Sequence, residues 1–184
     1  MAKGAAMLLV LFMALAAASV AEMQHGAGGH GRAAHPEAPT HLHFYFHDTS
    51  SGPKPSARKL TDQLDPKSKT MFGLVMVMDD PLTAGPKPGS AAVGRAQGLY
   101  MGTDQSGGLC LLQVMNLVLT AGPYNGSSLT VLGRNCMLAA VREMPVIGGT
   151  GAFRYAQGYA RLTTNFFDLK TGNAIVEYDV YVMH

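Results

Sequence analysis

The sequence predicts an all-β fold, a sandwich or a barrel, on three observations. Short runs rich in β-branched, aromatic and other apolar residues recur along the chain. Turn clusters such as "TSSGPKPS", "DDPLTAGPKPGS", "TDQSGG", "AGPYNGSS", "GGTG" and "LKTGN" separate them. No long stretch has helical spacing with caps. The strand candidates are 41–48, 72–79, 92–102, 109–120, 128–139, 153–166 and 173–183.

The N-terminus is set aside first. Lys3 precedes "GAAMLLVLFMALAAASVA", an apolar run ending in small residues. A short basic start, an apolar core and an A-x-A-like site at Ser19-Val20-Ala21 predict a signal peptide, residues 1–21. The run is short for a membrane span and lacks a basic stop-transfer flank. Residues 22–40, "EMQHGAGGHGRAAHPEAPT", have no periodicity and read as a disordered lead-in. Residues 41–184 read as one domain, and the whole as a soluble, secreted protein. A net charge of +2 is too weak to suggest a nucleic-acid partner.

The first strand, "HLHFYFHD", runs from His41 to Asp48. Alternate residues of a strand face opposite ways. One face carries His41, His43, Tyr45 and His47. The other carries Leu42, Phe44, Phe46 and Asp48, so an apolar face ends in an acid. The histidine face reads as solvated. Its span of about 20 Å is too long for one ion, and no metal site is expected there.

The next strands raise a different point. In "FGLVMVMD", Phe72, Leu74, Met76 and Met78 share one face, with Val75 and Val77 on the other. "LCLLQVMNLVL" is also largely apolar on both sides. Such strands bury both faces. A barrel does so if its exterior is covered by another subunit, so a homo-oligomer, dimer or trimer, is expected. The two cysteines, Cys110 and Cys136, lie in strands joined by a hairpin. They read as small buried hydrophobes, with a disulfide as the alternative. Asn125-Gly126-Ser127, in a turn-rich loop, is a candidate glycosylation sequon. "VIGGTGAF" lacks the Lys-Ser/Thr ending of a phosphate loop and reads as a tight turn.

Taken together, "FYFHD", "FGLVMVMDDPLT", "VGRAQGLY", "NGSSLTVLGRN", "VIGGTGAFRYAQGYA" and "GNAIVEYDVYV" resemble the plant dirigent family, in the family's order and from Leu42 to the C-terminus. The resemblance implies an eight-stranded antiparallel barrel like that of allene oxide cyclase, oligomeric and secreted to the apoplast. It implies no redox centre and no cofactor. The family binds phenoxy radicals made by a separate oxidase or laccase and biases their coupling, as in lignan formation from coniferyl alcohol. Other members are similar to catalysts that close or dehydrate quinone-methide intermediates, and many are linked to defence. The resemblance places Asp48 and Arg142 in the pocket as catalytic groups. Tyr100, Asn135, Phe44, Phe46 and Val176 are the substrate-binding candidates.

One departure stands out. Lignan-directing members carry an aspartate seven residues before the arginine that matches Arg142. This chain has Asn135 there. Asparagine can hydrogen-bond a phenol but is no proton donor at neutral pH. The resemblance is to the defence-associated branch more than to the lignan-directing one. The leading expectation is stereoselective coupling with radicals supplied by another enzyme. A cyclase or dehydratase using Asp48, and a non-catalytic phenolic-binding wall protein, are the alternatives.

Overall fold

Among the described residues, nine strands line up in one antiparallel sheet that curls until its first and third members meet. The computed structural model describes residues 38–184. The predicted signal peptide and nearly all of the lead-in lie outside the described residues. The strands are β1 (Thr40–Asp48), β2 (Ala57–Thr61), β3 (Val75–Thr83), β4 (Ala92–Gly102) and β5 (Cys110–Leu119). β6 (Ser128–Cys136), β7 (Arg142–Thr150), β8 (Gln157–Phe167) and β9 (Ala174–Met183) follow. Their order is β1-β9-β8-β7-β6-β5-β4-β3-β2. β1 also pairs with β3, at Tyr45↔Thr83 and Phe46↔Leu82. Eight strands thus close the eight-stranded antiparallel barrel that the resemblance implies. The short β2 covers the part of the β3 edge that β1 leaves free, pairing with Val75 to Met78.

Two strands were not legible. β2, "ARKLT", is short and mostly exposed, so it carries no alternating pattern. β7 contains Pro145 and Gly148-Gly149, which read as breakers. A bulge in the β6–β7 ladder resolves the conflict. That ladder stops at Val131↔Val146, one residue short of Pro145, so the missing N–H takes no bond away on that side. The turn expected at the glycines comes slightly later, at the 3₁₀ turn Gly151–Phe153, where Gly151 has φ 63°. The strand expected at 72–79 is shifted along the chain, through Asp79, Asp80 and Pro81 to Thr83.

Side chains fill one end of the barrel. Leu82, Leu117, Leu129, Phe153, Val180 and Val182 are fully buried there. The other end, where β1 finishes and β9 begins, is hollow. Cys110 and Cys136 are direct register partners at this end. They form a disulfide, which corrects the expectation of two unlinked hydrophobes. The hairpin register, set by residues between the cysteines, brings the two together. On the outside, Val77, Leu99, Val114 and Leu132 form a single cross-strand row through β3, β4, β5 and β6. Val77 and Leu132 are exposed.

Candidate functional site

The hollow end encloses a mainly apolar cavity of about 950 Å³. That is near the upper end of the range for small-molecule pockets, roughly 300–1,000 Å³. Asp48, Tyr100, Asn135, Arg142, Phe46 and Val176 all line it. Six of the seven pocket residues expected from the sequence therefore converge. Phe44 does not line the cavity. It sits one pleat deeper, opposite Tyr178 in the β1–β9 register, with ring centroids 5.6 Å apart. Both residues are fully buried. The inward alternation of β1 was read correctly, but alternation does not tell how deep the cavity reaches. Tyr178 lines it instead, and its place two residues beyond Val176 on the same face was a usable signal.

The polar groups are few and mostly short of partners. Tyr100, from β4, donates a 2.9 Å hydrogen bond to Asp48 Oδ2. Asp48 Oδ1 is buried without a partner. Burial pushes the Asp48 carboxyl up to about 6, although the Tyr100 hydrogen bond pulls it down. Burial also raises the Tyr100 phenol, helped by the Asp48 charge, so Tyr100 remains a donor. Arg142, the first residue of β7, donates from Nη1 to the Met137 carbonyl at 3.1 Å. Its Nε and Nη2 are buried and unpartnered. Asn135 donates from Nδ2 to Gln113 Oε1 at 2.7 Å, leaving Oδ1 free. The Cys110–Cys136 bridge is next in sequence to Asn135 and holds this wall.

Asp80 was missed. It lies in the quoted run "FGLVMVMDDPLT", where the strand expected at 72–79 stopped one residue too soon. On β3, the even-numbered residues Met76, Met78, Asp80 and Leu82 are all buried, with Thr83 buried at the strand end. Asp80 has no exposure, and neither carboxyl oxygen has a hydrogen-bond partner. Its β1–β3 neighbours are in register at Phe46↔Leu82. The ladder stops there, and Asp79 N–H bonds the Ser56 carbonyl, but Asp48, two residues beyond Phe46 on the same inward face, is close enough for its charge to act on Asp80. Burial, reinforced by the Asp48 charge, pushes the Asp80 carboxyl up to about 8; the nearby Ser56 hydroxyl, which is bonded to Thr49 N–H and the His47 carbonyl instead, and the Arg95 charge oppose only in part. At neutral pH the two acids together retain roughly one proton. The preceding residue, Asp79, faces outward and pairs with Arg95. Continuing the even-numbered face past Met78 would have found Asp80.

The outward histidines occupy the opposite face of β1, as expected. The side chain of His47 bonds Thr83 Oγ1 at 2.7 Å. His41 and His43 reach across to Asp179 on β9. Asn125 is exposed at the tip of the β5–β6 loop, and Ser127 of the same sequon is buried.

The architecture is that of a closed antiparallel β-barrel with an apolar pocket, two buried carboxyls and a guanidinium with two unpartnered nitrogens. Comparison with known proteins narrows the class. A family model described as "Dirigent-like protein" matches residues 39–183. The chain is 51% identical over 150 residues to dirigent protein 21 of Arabidopsis thaliana, covering 81% of this chain and 79% of the relative. It is 49% identical over 147 residues to pterocarpan synthase 1 of Glycine max, covering 79% and 78%. A solved pterocarpan synthase dirigent protein aligns with a TM-score of 0.75 at 47% identity, over 79% of this chain and 84% of that one. The chain belongs to the dirigent family.

Proposed function

We propose that this protein converts a phenolic, quinone-methide-type intermediate stereoselectively, with Asp48 as the acid that touches substrate. The observation that carries the reading is the pair of buried carboxyls, Asp48 and Asp80, held at raised pKa beside an apolar cavity. Pure radical coupling needs only shape. Buried, unpaired acids cost stability, and a site without proton transfer has no use for them. The pterocarpan synthases among its relatives support the same choice.

The chemistry balances without an oxidant. Consider a substrate whose phenolate is conjugated to a carbinol carbon. Protonated Asp48 gives its proton to the carbinol hydroxyl, the C–O bond breaks, and water leaves. Electrons from the phenolate form the quinone methide. An internal hydroxyl then adds to the exocyclic carbon, and its proton passes to the Asp48 carboxylate. Phenolate charge returns to the ring. The unpartnered Nε and Nη2 of Arg142 are suited to hold that oxygen in both charged states. Below about pH 6, where Asp48 is protonated, Asp80 keeps a second proton close by, and Tyr100 fixes the Asp48 carboxyl. The ring closes on one face only, because the pocket walls hold the intermediate in one orientation. A preference of about 2 kcal/mol gives a roughly thirtyfold excess.

Stereoselective coupling of phenoxy radicals from a separate oxidase or laccase is the second reading. The size of the cavity favours it, since one pocket of about 950 Å³ has room for large or paired aromatic ligands. Adding an oxidase separates the two. The first reading expects turnover of a racemic carbinol substrate without oxidase, and one enantiomer in excess. Bias only with laccase and coniferyl alcohol would replace it with the second. A protein that binds phenolics but shifts no product ratio would leave only the wall-protein reading.

The same proposal includes a homo-oligomer, secretion to the apoplast and a glycan at Asn125. The apolar row Val77, Leu99, Val114 and Leu132 supports assembly through the β3–β6 face. Among the described residues, no helix is long and apolar enough to cross a membrane. Sedimentation, N-terminal sequencing and glycosidase digestion test these three points.

A further inference from the structure

The reading of β1 taken alone excluded a metal because one strand spreads its histidines too far. The barrel adds β9, and with it a third ligand. Asp179 is the register partner of His43 and lies diagonal to His41. His41 Nε2 is 2.7 Å from Asp179 Oδ1, and His43 Nδ1 is 3.0 Å from the same oxygen. The three ligand atoms lie within 4.8 Å of one another. Ligands around a four-coordinate zinc, at bond lengths of about 2.0–2.1 Å, are roughly 3.3 Å apart. Small movements of these exposed side chains, lengthening the two contacts to Asp179, reach that spacing.

The surroundings aim the ligands. The His41 ring stacks on Tyr181, with centroids 4.5 Å apart and planes 6° from parallel. The second nitrogen of His43, Nε2, faces Glu177 Oε1 at 3.5 Å. Tyr45 donates a 3.2 Å hydrogen bond to that same Glu177 oxygen. A carboxylate behind a histidine fixes which nitrogen carries the proton and leaves the other free for a metal. For a metal to bind at Nδ1, His43 gives up the Nδ1 hydrogen bond it makes to Asp179 and carries its proton on Nε2, where Glu177 is the nearby acceptor. His47 is not part of the arrangement, because it bonds Thr83 instead.

We propose that His41, His43 and Asp179 form a three-ligand site for a divalent transition-metal ion, zinc or copper(II), on the outer wall of the barrel. Two imidazoles with one carboxylate favour these ions over magnesium or calcium, which take oxygen ligands. A bound ion ties β1 to β9 across the wall whose inner side carries Phe46 and Val176. It takes no part in the acid chemistry inside.

The test uses the full chain carrying His25→Ala, His30→Ala and His35→Ala, so that the lead-in histidines cannot contribute. Calorimetric titration with zinc chloride at pH 7 is expected to show one ion per chain, and magnesium chloride no binding. His43→Ala in that background should weaken zinc binding by about 100-fold, and Asp179→Asn by about tenfold. His47→Ala should change nothing. Circular dichroism confirms the fold of each variant. No zinc binding in the parent background overturns the proposal. So does zinc binding that His43→Ala leaves unchanged, or magnesium binding as tight as zinc.

Discussion

The two faces of the β1–β9 wall hold carboxylates in opposite conditions. On the cavity side, Asp48 and its neighbour Asp80 on β3 are starved of partners, and burial raises both. On the outside, Asp179 is only partly buried. Burial is the largest single influence and raises it, but the hydrogen bonds and charges of His43 and His41 together outweigh this and leave it below the usual carboxylate range. The side-chain type is the same in all three cases. Solvent and partners decide whether it is a proton donor or a ligand. An acid is available for catalysis where the fold has withheld its counter-ion.

The largest test of this contrast is Asp80→Asn. The carboxyl of Asp80 keeps its proton in the folded chain up to about pH 8, whereas the unfolded chain loses it near 4. Below pH 4 both states are protonated and the residue carries no ionisation penalty. As pH rises from 4 to 8, the folded state binds more protons than the unfolded one, and stability falls. Asp80→Asn should remove that decline. It should raise stability at pH 8 by about 2–4 kcal/mol, since the amide is still short of partners. Urea unfolding at pH 4 and pH 8 measures it. An unchanged slope would mean that Asp80 is not the buried acid described.

Asp48→Asn should lower turnover about 100-fold, the lower end of what a positioned acid contributes. Circular dichroism should not change, because the amide keeps the size of the acid. The wild-type rate should fall as pH rises through about 6, where Asp48 gives up its proton. An unchanged rate in the variant would reduce Asp48 to a partner for Tyr100.

Asn135→Asp tests whether a further acid can be added. Gln113 must turn to donate, because its Oε1 now accepts from Asn135 Nδ2. Arg142, with two free nitrogens in the same cavity, would keep the new group ionised and unsuited to give a proton. A gain of less than about fivefold in rate or enantiomeric excess is expected. A large gain would show that the Asp48–Asp80 pair falls short of the two-acid arrangement.

The smallest effect belongs to the outer face. Asp179→Asn without added metal should cost about 0–1 kcal/mol, because its partners His41 and His43 are well exposed. Thermal unfolding in chelator checks this. A cost above about 2 kcal/mol would place the outer carboxylate among the structural groups of the barrel.

The sequence by itself determined which way each strand's residues face. Period-two alternation placed Asp48 and Phe46 inward and the β1 histidines outward, and it showed apolar side chains on both sides of β3 and β5. It also carried the family's motifs, and with them the closed barrel and a pocket lined by Tyr100, Asn135, Arg142 and Val176. Alternation, however, assigns a side and not a neighbour. The cysteine bridge, Asp80 near Asp48, and Asp179 beside two histidines each depend on how the strands are set against one another. For the β1–β3 and β1–β9 pairs, the register is fixed by closure of the barrel, long-range in the chain. Which of two facing inward side chains reaches the cavity was likewise invisible: Phe44 and Tyr178 are register partners, yet Tyr178 lines the cavity and Phe44 does not. β2 and β7 became strands only because their neighbours supplied edges and a bulge that no local pattern announces.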